Sequence, residues 1–245
     1  MTNMMDPRMM SGLAPELFER VVKGNPPRIL EGGMISTGAV RLSWPSLSKP
    51  AKVRNPGDKP KYQAAGLFPH NNVGPIMEAL RAAVRAAYPS LQDPNVLLNP
   101  RDKNHPMKDQ GLKVNVADGG LNPMEKSMGG YVPGLPFFNA KSMRPIVCIR
   151  RVAGREVVVV GEDVDTHFYA GCWVDAKLLI LKSTAAGNPG VFWGLQGLFK
   201  LADDTRFEGS GGGASPEDFA SAVSIEDPNE NQIMQSSAAQ TTNWG

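Results

Sequence analysis

Tyr169, Trp173, Asp175 and Lys177 are the residues of this 245-residue chain whose types and spacing could do chemistry. In the stretch FYAGCWVDAKLLI, period two places Phe168, Ala170, Cys172, Val174, Ala176, Leu178 and Ile180 on one face of a strand and these four on the other. Two outward aromatics beside a cation suit single-stranded nucleic acid, because every base offers a π-face to stack on and every phosphate a charge to meet. A protein-binding sheet could use the same face. A second chemistry is written in the same residues: Asp163 or Asp165, followed by Asp175-Ala-Lys177, imitates the arrangement in which two carboxylates hold a divalent metal and a lysine steadies the attacking water of a nuclease. That signal is short, the proline that usually precedes it is missing, and no flanking helices are predicted. His70, His105 and His167 have no zinc spacing to one another or to the cysteines, and no serine-hydrolase motif is present. The expectation is a binding protein with no cofactor and no metal, not an enzyme.

The elements that must position these residues are mostly strands. Phe168–Ile180 reads as one arm of a long hairpin; residues 183–190 form its turn, and Val191 to Lys200 returns as the other arm. Phe192 and Trp193 are adjacent in that return strand, so both cannot face inward, and the sequence leaves open which is exposed. Ile35–Trp44 alternates and reads as a strand ended by Pro45, and Lys61–Pro69 as its partner. Strands are also predicted at Ile146–Arg151 and Arg155–Val160, with Gly161–His167 as an acidic turn. Gly74–Tyr88 is the clearest helix: Ile76, Leu80, Val84 and Ala87 recur at helical spacing, Pro75 suits the first turn and Pro89 follows the end. Residues 89–130 read as a long irregular insertion. Residues 1–34 read as an arm with at most one short helix from Pro15 to Lys23, and residues 209–245 as a Gly/Ser linker, a short helix from Ser215 and an acidic tail. Between them, residues 35–208 form the main domain: mainly β, a small barrel or sandwich with one principal helix, long loops and disordered tails.

Composition narrows the class. Forty-one per cent apolar and 20% charged residues fit a soluble protein, and no apolar run nears the roughly 18 residues of a membrane helix. With no secretory signal at the N-terminus, the default location is cytoplasmic. Cys148 and Cys172 are too few for a disulfide framework and read as buried strand residues. The net charge of +2 hides an asymmetry: residues 1–200 hold 25 basic against 16 acidic residues, a net +9, whereas residues 201–245 hold one against eight, a net −7. A basic body attracts phosphate polymers, and an acidic tail can compete for the same surface or recruit basic partners. The loop from Lys49 to Lys61 carries five basic residues against Asp58 alone.

The order of the motifs adds a resemblance. RLSWP (41–45), the basic Pro-rich loop, KYQAAGLFP (61–69), the helix, NAKSMRPIV (139–147), FYAGCWVDAKLLI (168–180), GNPGVFWGLQGLFKLADDTRF (187–207) and SPEDFA (215–220) together resemble a family of phage single-stranded-DNA-binding proteins. The resemblance spans residues 35 to 220 and implies an OB-fold-like barrel that coats exposed DNA in phage replication, recombination or repair, within the host cytoplasm. It further implies single-stranded DNA as the partner, with replication or recombination proteins reached through the acidic tail, and leaves a homo-oligomer open. Under this reading Tyr169 and Trp173 lead as stacking residues. Trp44, Tyr62 and Phe138 stand behind them, because their Val, Leu and Gly neighbours suggest core. Arg41, Lys52, Lys61, Lys141, Arg144 and Lys177 are the expected phosphate contacts. The alternatives are the nuclease built on Asp165, Asp175 and Lys177, or a structural phage β protein that binds no DNA.

Overall fold

The protein is seen in a computed structural model that describes residues 11–52, 57, 59–101, 105–123, 126–183 and 190–207. The hairpin turn at 184–189, most of the basic loop between Lys52 and Lys59, and the linker, short helix and acidic tail beyond residue 207 lie outside the described residues. In chain order the regular elements are α1 (Pro15–Gly24), β1 (Arg28–Ile29), β2 (Ile35–Ala51), β3 (Lys61–Leu67), α2 (Gly74–Ala87), β4 (Met107–Asp109), β5 (Pro136–Ser142), β6 (Val147–Val152), β7 (Arg155–Val159), α3 (Asp163–His167), β8 (Trp173–Lys182) and β9 (Val191–Ala202).

Five of these strands close on themselves. β2 pairs with β3, β3 with β5, β5 with β9, β9 with β8 and β8 with β2. Every pairing is antiparallel except β5–β9, which is parallel, with Ala140 beside Trp193 and Lys141 beside Gly194. This is the five-stranded Greek-key barrel of the OB type, in which closure removes the sheet edges. Alternation decides its filling: Val40, Leu42, Ala64, Phe138, Ala140, Val174, Ala176, Leu178, Trp193 and Leu195 point inward and are buried, and α2 adds Ile76, Leu80 and Val84 to the same core. The β6–β7 hairpin extends the sheet from β9.

Three sequence expectations are corrected. The main hairpin arm begins at Trp173, not Phe168, because Phe168 N–H closes the last turn of α3 on Val164 O, so the acidic turn is a short helix. Gly171, at φ 111°, then lies where a Cβ would be 2.2 Å from Thr205 O, a close approach that only glycine allows. β2 does not stop at Pro45 but runs on to Ala51 through an irregularity between Ser43 and Ser46. The N-terminal stretch is no free arm over its described part: α1 lays Phe18 and Val21 on Ala39 and Trp173, and β1 pairs with β2.

The insertion is also ordered where it is described. Gln110 holds it together from within: the side-chain amide donates to Phe68 O at 3.0 Å and Pro136 O at 2.9 Å, and accepts from Val132 N at 2.8 Å. Val114 and Tyr131 pack with Leu67, Phe137, Ala170 and Phe207. That packing covers the Leu67 and Phe137 end of the outer face of β3 and β5, while Asn139, Lys141 and Lys61 beyond it are exposed.

Candidate nucleic-acid interface

The leading aromatic of the sequence reading is not on the surface. Trp173 does point away from the barrel interior, as the alternation requires, but α1 covers it and only 1% of it is exposed. Its indole Nε1 donates to Asp204 Oδ2 at 2.8 Å. Tyr169 is half-buried; its hydroxyl lies 2.9 Å from both Asp203 Oδ1 and Asp204 O, and Arg206 and Lys200 sit over its ring at 4.2 and 5.3 Å. Burial pushes its phenol pKa well up. With these cations on the ring and the hydroxyl engaged, a base has little of Tyr169 left to stack on.

Arg41 serves the same buried knot rather than a phosphate. Its Nε donates to Gly171 O at 2.9 Å and Nη2 to Thr205 O at 2.7 Å, while the guanidinium lies 4.3 Å from the Phe207 ring centre and 3.5 Å from Asp204 Oδ2. Burial lowers its pKa and Asp204 only partly offsets this. For Asp204 the balance reverses: burial raises the pKa, yet the bond from Ser11, the Arg41 charge, Thr205 N and Trp173 together hold it below its ordinary value. Asp204 thus collects donors from the N-terminal segment, β2, β8 and its own strand end.

Asp175 and Lys177 form a second closed cluster. Lys177 Nζ lies 2.6 Å from Asp175 Oδ2 and 3.0 Å from Ser36 Oγ. Ser36 Oγ is in turn 2.8 and 2.7 Å from the two oxygens of Asp175, which also accepts from Gly38 N at 3.2 Å. Asp165 is bonded to Ser48. Asp175 is therefore satisfied by β2 and β8, and among the described residues no three metal-ligating side chains come together. The acid, acid-x-Lys spacing has a structural cause here: it stitches the β2–β8 seam. Phe138 fills the barrel core at 1% exposure and Tyr62 is partly buried against it, as their apolar neighbours suggested.

What remains outside is a band across β2, β3, β5 and β9. Cross-strand register sets Ser46 beside Gln63, Gln63 beside Lys141 and Lys141 beside Gly194, and sets Ala65 beside Asn139. Lys141 and Asn139 are exposed, as are Lys52, Lys61 and Arg144 at the same end of the sheet. Trp44 lies at the β2 side with 45% of its surface exposed and a left-handed φ of 47°. That conformation costs a non-glycine residue about 1–2 kcal/mol, and such strain concentrates at functional positions. Its cause is local. The extra residue at the Ser43/Ser46 irregularity breaks the alternation of β2 at this point and leaves the indole exposed.

Phe192 answers the question that the sequence left open: it is 47% exposed on β9, while Trp193 lies inside and donates from Nε1 to Pro106 O at 2.8 Å. Sequence reasoning missed Gln63 and Asn139 because their place on this face depends on which strands border β3 and β5. The band thus combines an exposed indole, amides and exposed cations on rigid strands. In barrels of this type, the second and third strands and the loops that flank them form the oligonucleotide surface; here those strands are β3 and β5.

Comparison with known proteins agrees with this architecture. The family model described as Enterobacter phage Enc34, ssDNA-binding protein, matches residues 34–232. Among solved structures, the single-stranded DNA-binding protein from bacteriophage Enc34 in complex with ssDNA is similar with a TM-score of 0.56 at 18% identity, over 74% of this chain and 93% of that one. Its C-terminal truncation is similar with a TM-score of 0.54 at 20% identity, over 75% and 94%. At these identities the likeness shows the shared fold. No curated protein matches the sequence.

Proposed function

This chain belongs to the family of the Enterobacter phage Enc34 ssDNA-binding protein, and on that footing we propose that it binds single-stranded DNA without sequence preference and without catalysis. The strand lies across the outer face of β3 and β5. Trp44 stacks on a base, Gln63 and Asn139 meet base edges or sugars, and Lys141, Lys61, Lys52 and Arg144 meet phosphates. Residues 35–208 act as the binding unit, and the tail from residue 209, acidic in sequence, recruits replication or recombination proteins. The setting is phage DNA replication, recombination or repair in the host cytoplasm.

The observation that supports this reading best is the strained, exposed Trp44 at the border of a row running Ser46, Gln63, Lys141, Gly194 across four strands, in which Lys141 is exposed and Ser46 and Gln63 are partly so. Stacking is sequence-tolerant because every base has a π-face, and phosphate contacts make affinity fall with salt through counterion release. The test is a tryptophan-fluorescence titration of the full chain with oligo(dT), a matched duplex and a matched RNA at several salt concentrations. Expected are quenching by the single strand, weaker binding to duplex, and a salt slope that drops by about one in Lys141→Ala. Equal binding to duplex and single strand, or no binding to either, would sink the proposal.

A further inference from the structure

We propose that Phe192, with Leu181 and Gly194, forms a second base-stacking station at the β9 side of the band, so that the two ends of the footprint are fixed by Trp44 and Phe192. This rests on the single-strand reading above and specifies where the strand leaves the sheet.

Phe192 is half exposed between two buried neighbours, Val191 at 4% and Trp193 at 1%. Its ring therefore stands on a strand that is anchored from beneath. The anchoring continues on both sides: Tyr88 Oη is 2.9 Å from Gly190 O and accepts from Gly190 N at 2.8 Å, and Lys182 Nζ donates to Ala87 O at 2.8 Å. A ring held this way loses little conformational entropy on binding, which is what separates a stacking platform from a flexible apolar side chain.

The floor beside it is shaped for a flat ligand. Leu181 pairs directly with Phe192 and is 39% exposed. At Gly194, the next outward position on β9, an added Cβ would lie 2.8 Å from Leu181 Cδ1. The missing side chain thus lets Leu181 lean over the strand beside Phe192, with the Gln196 amide close by, so that Gly194 is buried beneath an apolar floor. Lys141 borders that floor from β5, beside Gly194, and Asn139 is exposed two residues earlier on β5, as Phe192 is on β9. An apolar ring and floor edged by a cation and an amide match a nucleobase with its phosphate. Leu181 and Phe192 also adjoin the row already assigned to the strand. Three inter-strand steps separate β2 from β9, about 14 Å along the sheet, so Trp44 and Phe192 meet different bases of one strand.

Phe192→Ala and Phe192→Trp in the full chain test this, measured with oligo(dT) of graded length. The alanine variant is expected to lose about tenfold in affinity for long oligomers, to keep the parent's salt slope because no phosphate contact is removed, and to lose less with oligomers too short to reach from Trp44 to β9. The tryptophan variant is expected to restore affinity and to add quenching on the single strand. Unchanged affinity in Phe192→Ala, beside weakened Trp44→Ala and Lys141→Ala, overturns this station while the single-strand reading stands. Loss of single-strand preference in the parent overturns both. A tenfold loss accompanied by a lower Tm, or by a change of oligomeric state without DNA, assigns Phe192 to folding or self-association and also overturns it.

Discussion

Phe18 stands edge-on to Trp173, with ring centres 5.6 Å apart and planes at 81°. The N-terminal helix is thereby part of the barrel wall and shields the indole that sequence alternation alone would expose. Phe18→Ala opens a cavity over Trp173 and is expected to cost about 3 kcal/mol. Chemical denaturation followed by tryptophan emission checks this: the midpoint should fall, and native emission should shift to the red as water reaches Trp173. An unaltered midpoint would mean that α1 does not hold to the barrel in solution.

The same residue pair marks the limit of what sequence shows. Period two correctly separated Val174, Ala176 and Leu178 from Trp173, Asp175 and Lys177, because a strand has only two faces. It could not show that a helix far earlier in the chain would cover the second face, since the apolar stripe of α1, Leu17, Phe18, Val21 and Val22, does not say which surface it packs on. The amphipathic pattern of α2 was legible because Ile76, Leu80 and Val84 all meet one core. Tyr62 and Phe138 were read as core from their neighbours, and the same rule fails for Trp44 because the irregularity between Ser43 and Ser46 breaks the alternation there. Lys52, Lys61, Lys141 and Arg144 were placed outside correctly. Arg41 is buried instead, because the carbonyls of Gly171 and Thr205 and the Asp204 carboxylate converge on it from distant strands, and Lys177 is partly buried and tied to Asp175 and Ser36.

Arg41 gives a clean separation between a structural and a phosphate-binding cation. Its guanidinium reaches Gly171 O, Thr205 O and Asp204 at once, a span that a lysine point charge cannot reproduce. Arg41→Ala removes the charge that faces buried Asp204 and the donors to Gly171 O and Thr205 O, and is expected to cost about 3 kcal/mol. At a salt and temperature where the variant is still folded, its slope of affinity against salt should equal the parent's. A slope reduced by one would make Arg41 a phosphate contact.

Asp204 predicts a particular acid sensitivity. Its folded-state pKa is held below the ordinary carboxylate value, so its contribution to stability is complete above about pH 4 and is lost as the pH falls through the folded value. Thermal melting from pH 7 to pH 3 should show a steeper drop in Tm for the parent than for Asp204→Asn, which starts lower because it loses the charge that faces Arg41. Ser11 and Gly12 bind the same carboxylate, at 2.7 and 2.6 Å, so acid should loosen the N-terminal segment first. Parallel pH profiles for parent and variant would show that Asp204 titrates in the folded protein as it does in the unfolded chain.

Under the proposed function Trp44 couples binding to strain, and one substitution separates the two. Among the described residues, Trp173 and Trp193 are each 1% exposed and Trp44 is 45% exposed, so a ligand on the outer face reaches Trp44. Trp44→Gly removes the indole and the penalty of its left-handed backbone together. The relief of about 1–2 kcal/mol is offset by the extra freedom of glycine in the unfolded chain, roughly 0.5–1 kcal/mol, so stability should hold or rise slightly. Affinity for oligo(dT) should nevertheless fall about tenfold, the share of one stacked base. Melting and titration of the same sample decide the matter. A marked loss of stability would make Trp44 a packing residue whose exposure is incidental, whereas stability retained with affinity lost would show that the chain keeps a strained tryptophan on its surface for the sake of its ligand.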